Sequence, residues 1–264
     1  MNLRLSLVTF TLFYCLIMTV ISPAQGAYFP LRDNYKEVAT ISHKALATNK
    51  DKFLVVDVRS SYEFSILHIN DAINIPISNL GFIPTLKKLR KNDKRNIVFY
   101  CNGITCEKSY LANLTAQKFG IKNVYTFDLG VLEWAKLYPE KSAFFNTAPL
   151  KIEQLISPEE FQRHMLSPQS FVDKINDESL VIDIRDPFQR DIVILSKHAV
   201  SMPLQKFHHN IPRLKKATQS SILIFDAVGT QVYWLQYLLE KHGIKDYYFM
   251  QGGVKNYLAT KVTH

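Results

Sequence analysis

Cys101 and Cys106, five residues apart, are the side chains of this 264-residue sequence best suited to covalent chemistry. They bound a short loop. Before it, Ile97 to Tyr100 is an apolar run of β-branched and aromatic residues that reads as a buried strand. After it, Glu107 to Phe119 carries Tyr110, Leu111, Leu114 and Phe119 near helical spacing and stops at Gly120. A thiol between a strand end and a helix start faces backbone N–H groups and the positive end of the helix. Both favour thiolate over thiol. Such surroundings bring a cysteine pKa to about 3.5–7.5, and the thiolate can then split one group transfer into two easier steps. Cys101 is the expected nucleophile. The competing reading is a buried or disulfide-bonded cysteine, because a lone pair of cysteines in an exported protein often bonds. Cys106 reads either as a resolving thiol that attacks an oxidised or persulfidated Cys101, or as a small residue that starts the helix. Gly103 suits a tight turn, and Asn102, Ile104 and Thr105 would offer mainly backbone N–H groups.

The surrounding elements alternate. A weakly amphipathic helix covers Ile41 to Ala47, and Phe53 to Asp57 is a buried strand. A helix starts at Ser60 to Glu63, and residues 68–76 make a turn into a short strand. Ser78 suits a cap of a further helix and Pro84 the opening of the next. After the cysteine loop and its helix come a strand over 123–127 and a turn at Leu129 and Gly130 into a last helix through Trp134. This order implies an α/β fold with a parallel sheet.

The pattern then restarts. Leu180 to Arg185 repeats Leu54 to Arg59 at an offset of 126, and Ile222 to Asp226 repeats Ile97 to Cys101 at 125. Lys241 to Tyr247 repeats Lys118 to Val124, and Gly252 to Tyr257 repeats Leu129 to Trp134, both at 123. Four landmarks in one order at nearly one offset indicate a duplicated domain. The expected organisation is a first copy over 28–137, a linker over 138–152 containing two prolines, and a second copy over 153–264 opened by Ser157 and Pro158.

Composition sets outer bounds. Hydrophobic content of 47% and charged content of 21% are those of a globular protein. The formal charge of +9 favours anionic partners. The densest basic run, Lys87 to Arg95, lacks interleaved aromatics, so nucleic acid is not an expected partner. Residues 1–26 read as a signal peptide: Arg4 precedes an uncharged apolar run from Leu5 to Ile21, and small residues follow at Ala24 and Gly26. The mature chain is then expected to be exported, periplasmic or secreted from a bacterium, with no stable membrane insertion once the signal is cleaved. An uncleaved anchor is the alternative.

The landmarks together resemble the rhodanese (sulfurtransferase) family. That family shows Asp-x-Arg after its central strand, a His-Ile…Ala-x-Asn-Ile-Pro segment, a cysteine loop and a Gly-Gly…Trp ending. Here these read Asp57 to Arg59, His68 to Pro76, Cys101, and Gly130 to Trp134. The match covers roughly 38–137 and again 155–260. Leu67 and Asp71 stand where the family usually has glycine, and the second copy has Asp226 at the cysteine position. Aspartate cannot carry a persulfide, so the second copy is expected to be catalytically silent.

The resemblance implies two tandem α/β domains, each a parallel sheet flanked by helices. It implies transfer of a sulfane sulfur from a small donor, thiosulfate-like or persulfide, through a Cys101 persulfide to a thiol or cyanide, with a protein thiol a further acceptor. Arg59, Asn102, Gly103, Ile104, Thr105 and Cys106 are the implied substrate-binding residues. For Arg59 an ion pair with Asp57 or Glu63 that fixes a loop is the rival role. Phosphatases of this fold use Cys-x5-Arg, but Glu107 stands six residues after Cys101 and would repel phosphate. No cofactor is expected, and no metal, since His208 and His209 are the only ligand-like spacing noticed. The rival functions are a thiol–disulfide redox protein using Cys101 and Cys106, and a non-catalytic binding module.

Overall fold

The computed structural model describes residues 28–195, 197–216 and 221–262. The expected signal peptide lies outside them. Among the described residues no helix is long and apolar enough to cross a membrane.

The first copy runs α1 (His43–Thr48), β1 (Phe53–Asp57), α2 (Ser61–Ile66), β2 (Leu67–Ile69), β3 (Ile73–Asn74), α3 (Phe82–Asn92), β4 (Asn96–Tyr100), α4 (Lys108–Lys118), β5 (Val124–Phe127), α5 (Gly130–Leu137) and β6 (Ser142–Phe144). Its sheet is all parallel in the order β3-β1-β4-β5. The second copy runs α6 (Pro158–Arg163), β7 (Met165–Leu166), α7 (Pro168–Asp173), β8 (Leu180–Asp183), β9 (Ala199–Ser201), α8 (Ile211–Lys216), β10 (Ile222–Phe225), α9 (Gln231–Lys241), β11 (Tyr247–Met250) and α10 (Gly253–Val262). Its sheet, in the order β7-β11-β10-β8-β9, is also all parallel. Four of its strands, in the order β9-β8-β10-β11, repeat β3-β1-β4-β5 of the first copy. The fifth position, β7 beside β11, corresponds to a single parallel bridge of Thr40 to Thr126 beside β5.

Parallel sheets need cover on both faces, which is why β1, β4, β8 and β10 are nearly unbroken apolar runs. One face of each sheet has its own core: Val56, Phe99 and Leu86 in the first copy, Leu223, Phe225 and Met250 in the second. The other two faces share one core. Tyr100, Val131 and Trp134 of the first copy belong to the same buried cluster as Leu235, Tyr237 and Leu239 of the second. Each such side chain contributes about 1.5–3 kcal/mol when fully buried.

One expectation is corrected, and two features go beyond the sequence reading. Ser78 caps no helix; it lies in a turn, and α3 starts at Phe82 with Gly81 at its N-cap. The stretch 138–152 is more than a tether, because β6 pairs antiparallel with β2. In α4 the residues turned inward are Ser109, Tyr110, Ala112, Asn113 and Ala116, while Leu111 and Phe119 are exposed. Small side chains let α4 lie close to the sheet. Asn113 Nδ2 donates to Thr126 Oγ1 at 3.3 Å, and that hydroxyl donates to Ser109 O at 3.2 Å.

Candidate active site

Cys101 sits at the C-terminal end of the central strand β4, 1% exposed, and the six residues 102–107 lead from it into α4. Its sulfur is bonded to Cys106, with the two Cα atoms 6.2 Å apart. That separation lies inside the about 4.4–6.8 Å span a disulfide accepts. The loop bends back because Cys106 N donates to Gly103 O at 2.9 Å, and it is tied down by Val131 N donating to Cys101 O at 2.9 Å. The structure therefore shows the oxidised loop.

The glycine this loop depends on is Gly130, not Gly103. Gly130 opens α5 at a φ of 80°, and a Cβ there would overlap the backbone of Asn102 and Gly103. A Cβ on Gly103 would meet only Leu129 O, at 3.8 Å.

Arg59 lies under the loop. Its Nε donates to both carboxylate oxygens of Asp57, at 3.0 and 3.1 Å, and Nη2 donates to Asp57 Oδ2 and Leu67 O, each at 2.6 Å. Nη1 donates to Asn102 Oδ1 at 3.0 Å. The guanidinium is 0% exposed and lies 4.9 Å from the ring centre of Trp234, from the second copy. Asp57 holds its pKa above the ordinary arginine value despite burial. In this oxidised state its donors brace the loop from below, which is the ion-pair role set beside substrate binding for Arg59.

Asn102 also does more than offer its amide. Its Nδ2 donates to Glu63 Oε1 at 2.9 Å, so the side chain bridges Arg59 to Glu63. Glu63 is 8% exposed and closes the capping box of α2: Ser60 N and Oγ both donate to Glu63 Oε2, at 3.1 and 2.7 Å. Burial would lift its carboxyl, but Arg59, Lys108, Asn102 and Ser60 together hold it below the usual glutamate value. The Ser-x-x-Glu spacing signals such a box in sequence; its reach to Asn102 is a tertiary fact. Ile104 is half-buried and Thr105 exposed on the outer turn.

The second copy repeats part of this wiring around Asp226. Arg185 pairs with Asp183 as Arg59 does with Asp57, and Val254 N donates to Asp226 O at 2.9 Å. Asp226 is wholly buried. Its carboxylate accepts from the backbone N–H groups of Val228 at 3.1 Å, Gly229, Gln231 at 2.6 Å and Val232 at 3.3 Å. Burial nevertheless raises its pKa above the usual aspartate value, against the pull of those donors. Two donors come from the start of α9, so the loop-to-helix junction is an anion cradle filled by its own first residue.

The two loops face one cleft of about 310 Å³. Asn102, Glu63 and Lys108 line it from the first copy, Phe188, Val228 and Gln231 from the second.

Comparison with known proteins agrees with this geometry. The family of the rhodanese-like domain matches at residues 41–137. Residues 41–137 are a rhodanese-like domain. The match includes Cys101, the Asp57–Arg59 pair and Gly130. A tRNA uridine(34) hydroxylase of Sodalis glossinidius (strain morsitans) is 37% identical over 86 residues, 31% of this chain and 24% of that protein. A tRNA uridine(34) hydroxylase of Yersinia pestis (strain Pestoides F) is 36% identical over 91 residues, 33% and 25% of the two chains. The chain thus spans about a quarter of the length of these relatives. A solved thiosulfate sulfurtransferase from Pseudomonas aeruginosa aligns over 85% of this chain and 43% of its own, at 17% identity and a TM-score of 0.41.

Proposed function

We propose that this protein is an exported sulfurtransferase in which Cys101 accepts a sulfane sulfur and passes it to a thiol or other thiophilic acceptor. One observation carries the reading: the loop that holds Cys101 in the first copy holds a carboxylate on four backbone amides in the second. A rhodanese-like loop of this chain therefore has the means to hold a negative terminal sulfur. Cys101 thiolate would attack the donor's sulfane sulfur, the donor anion would leave, and the persulfide would then lose its outer sulfur to an acceptor thiolate. Reduction of the Cys101–Cys106 bond must come first. The cleft beside Asn102 and Lys108 is the route by which a small donor arrives, with Lys108 the nearest exposed cation.

The hydroxylase name of the sequence relatives is not carried over, since the match covers about a quarter of those proteins. A second reading is favoured by the disulfide itself: a thiol–disulfide protein exchanging electrons through Cys101 and Cys106. Intact mass separates the two. The reduced protein is exposed to thiosulfate, to a mercaptopyruvate-type donor and to a persulfide donor. A gain of one sulfur on Cys101 supports transfer. Loss of two hydrogens with no sulfur gain under every donor refutes it and leaves the redox reading.

A further inference from the structure

Away from the cysteine loop, Glu160 on α6 and His164 at its C-terminal cap stand one helical turn apart, opposite Glu240 near the end of α9. One donor atom from each, two carboxylate oxygens and one imidazole nitrogen, lie within 4.8 Å of one another. All three residues are half-buried.

The imidazole is already aimed. His164 Nδ1 donates to Tyr247 O at 2.8 Å, so Nε2 is the ring nitrogen left for a metal ion. The ring stacks on that of Tyr247, centroids 4.0 Å apart and planes 9° from parallel. The His164 backbone is fixed by Phe249 N donating to its carbonyl at 2.7 Å. Tyr247 also holds the second donor, its hydroxyl donating to Glu240 Oε1 at 2.6 Å. One tyrosine thus orients two of the three groups, as the outer partners of metal ligands do.

The rivals for these carboxylates are loosely placed. Lys245 Nζ pairs with Glu240 Oε2 and Arg163 Nη2 with Glu160 Oε2, yet their side chains are 72% and 70% exposed. Both can swing into water. Donors around a tetrahedral ion with bonds of about 2.0–2.1 Å stand about 3.4 Å apart, so rotation of the two glutamates closes the remaining gap. Both glutamates also line a cleft of about 510 Å³ walled by Phe144, Phe145 and Tyr237, which leaves room for water or a ligand atom in a fourth position.

We infer that Glu160, His164 and Glu240 form a divalent transition-metal site. Two carboxylates and one imidazole suit Zn²⁺ and similar borderline cations better than Ca²⁺ or Mg²⁺, which take all-oxygen shells. The ion would clip α6 to α9, the helix whose start forms the Asp226 cradle.

The test titrates Zn²⁺ calorimetrically, and Co²⁺ by its visible absorption, into the untagged full chain with Cys15 replaced by Ser and the Cys101–Cys106 bond closed, so that free thiols do not compete. One equivalent is expected to bind, with His164→Ala and Glu240→Gln each weakening it at least tenfold. Lys245→Met, at an exposed position, should tighten binding severalfold by removing the competing cation. The exposed neighbours His208 and His209, with rings 3.8 Å apart, are the control: replacing both by Ala should change nothing. The inference fails if the native chain takes up no stoichiometric ion, if binding follows His208 and His209, or if Lys245→Met leaves the affinity unchanged.

Discussion

Adding one methyl group at three glycines separates the loop's real constraint from its apparent one. Gly130 has a φ of 80°, where an L residue costs about 1–2 kcal/mol. Its added Cβ would also overlap the main chain of Asn102 and Gly103, which cannot rotate away as a side chain would. Overpacking of that kind costs about 1–3 kcal/mol. Gly130→Ala should therefore destabilise the protein by about 2–5 kcal/mol, or push the cysteine loop off α5. Gly253 is the same device in the second copy: φ is 59°, and a Cβ would lie 2.5 Å from Asp226 O and 2.7 Å from Val228 N. Gly253→Ala should cost a similar amount. Gly103, inside the cysteine loop, has no positive φ and ordinary space, so Gly103→Ala should stay within about 0.5 kcal/mol of the parent.

The assay pairs urea unfolding with sulfur loading of Cys101. Trp134 and Trp234 are the two tryptophans, one per copy and both buried, so Trp→Phe variants let fluorescence follow each copy separately. Gly130→Ala should lose stability and at least tenfold in loading rate. Gly253→Ala should lose stability with loading kept, and Gly103→Ala should lose neither. Gly130→Ala at parental stability and rate, or Gly103→Ala as harmful as Gly130→Ala, would refute the argument.

Cys101→Ala should abolish sulfur loading while leaving the unfolding midpoint near that of the reduced parent; retained turnover removes Cys101 as nucleophile. Cys106→Ser should load sulfur and, unlike the parent, not lose and regain activity on treatment with oxidised glutathione and then dithiothreitol, with mass spectrometry locating the bond; equal loss and rescue in both proteins would mean Cys106 plays no part. Asp226→Ala should leave loading of Cys101 unchanged but cost about 1–3 kcal/mol, because four amide donors lose their acceptor; an unchanged unfolding midpoint would show that the cradle is not held by that carboxylate. Glu63 has a folded pKa below its usual 4.5, so its stabilising effect is complete above that value and is lost as pH falls through the folded value. Glu63→Gln should thus be less stable than the parent by about 1–3 kcal/mol at neutral pH, with the gap closing as pH falls below 4.5 through the lowered folded value; a gap independent of pH would show that the charge of Glu63 is not what matters.

The sheets were legible because their strands are short, apolar and bounded by turn residues, and because the same succession occurs twice. The cysteine position was legible for the same reason: strand end, loop and helix start adjoin in sequence. What sequence did not show depends on approach between distant segments. Gly130 looks like any turn glycine until the backbone of Asn102 is placed against it. Arg59 looks like an anion ligand until its donors are found turned onto Asp57, Leu67 and Asn102, under Trp234 from 175 residues further on. The inward face of α4 was not legible from hydrophobicity, which favours Leu111 and Phe119, whereas closeness to the sheet favours Ser109, Ala112 and Ala116. The Glu160–His164 pair has the spacing of one helical turn, a signal present in the sequence, but the third donor comes from α9, 76 residues after His164.

The two copies share their aspartate–arginine wiring below the loop and differ in loop length, in the arginine's further partners and in what fills the loop's mouth. Aspartate–arginine pairs, a positive-φ glycine and a bond to the first loop carbonyl recur in both. In the second copy four residues separate Asp226 from α9, and the carboxylate takes up the amide donors itself. In the first copy six residues separate Cys101 from α4, and Cys106 N is spent on Gly103 O while the sulfurs are joined. A filled cradle has no vacancy for an incoming anion, whereas a loop whose mouth is closed by a reducible bond acquires one when the bond opens. The second copy touches the first: Trp234 covers Arg59, and Tyr237 and Leu235 lie in the core shared with Trp134. Removing it would uncover the buried guanidinium on which Asn102 rests. The second copy therefore maintains the floor of the cysteine loop.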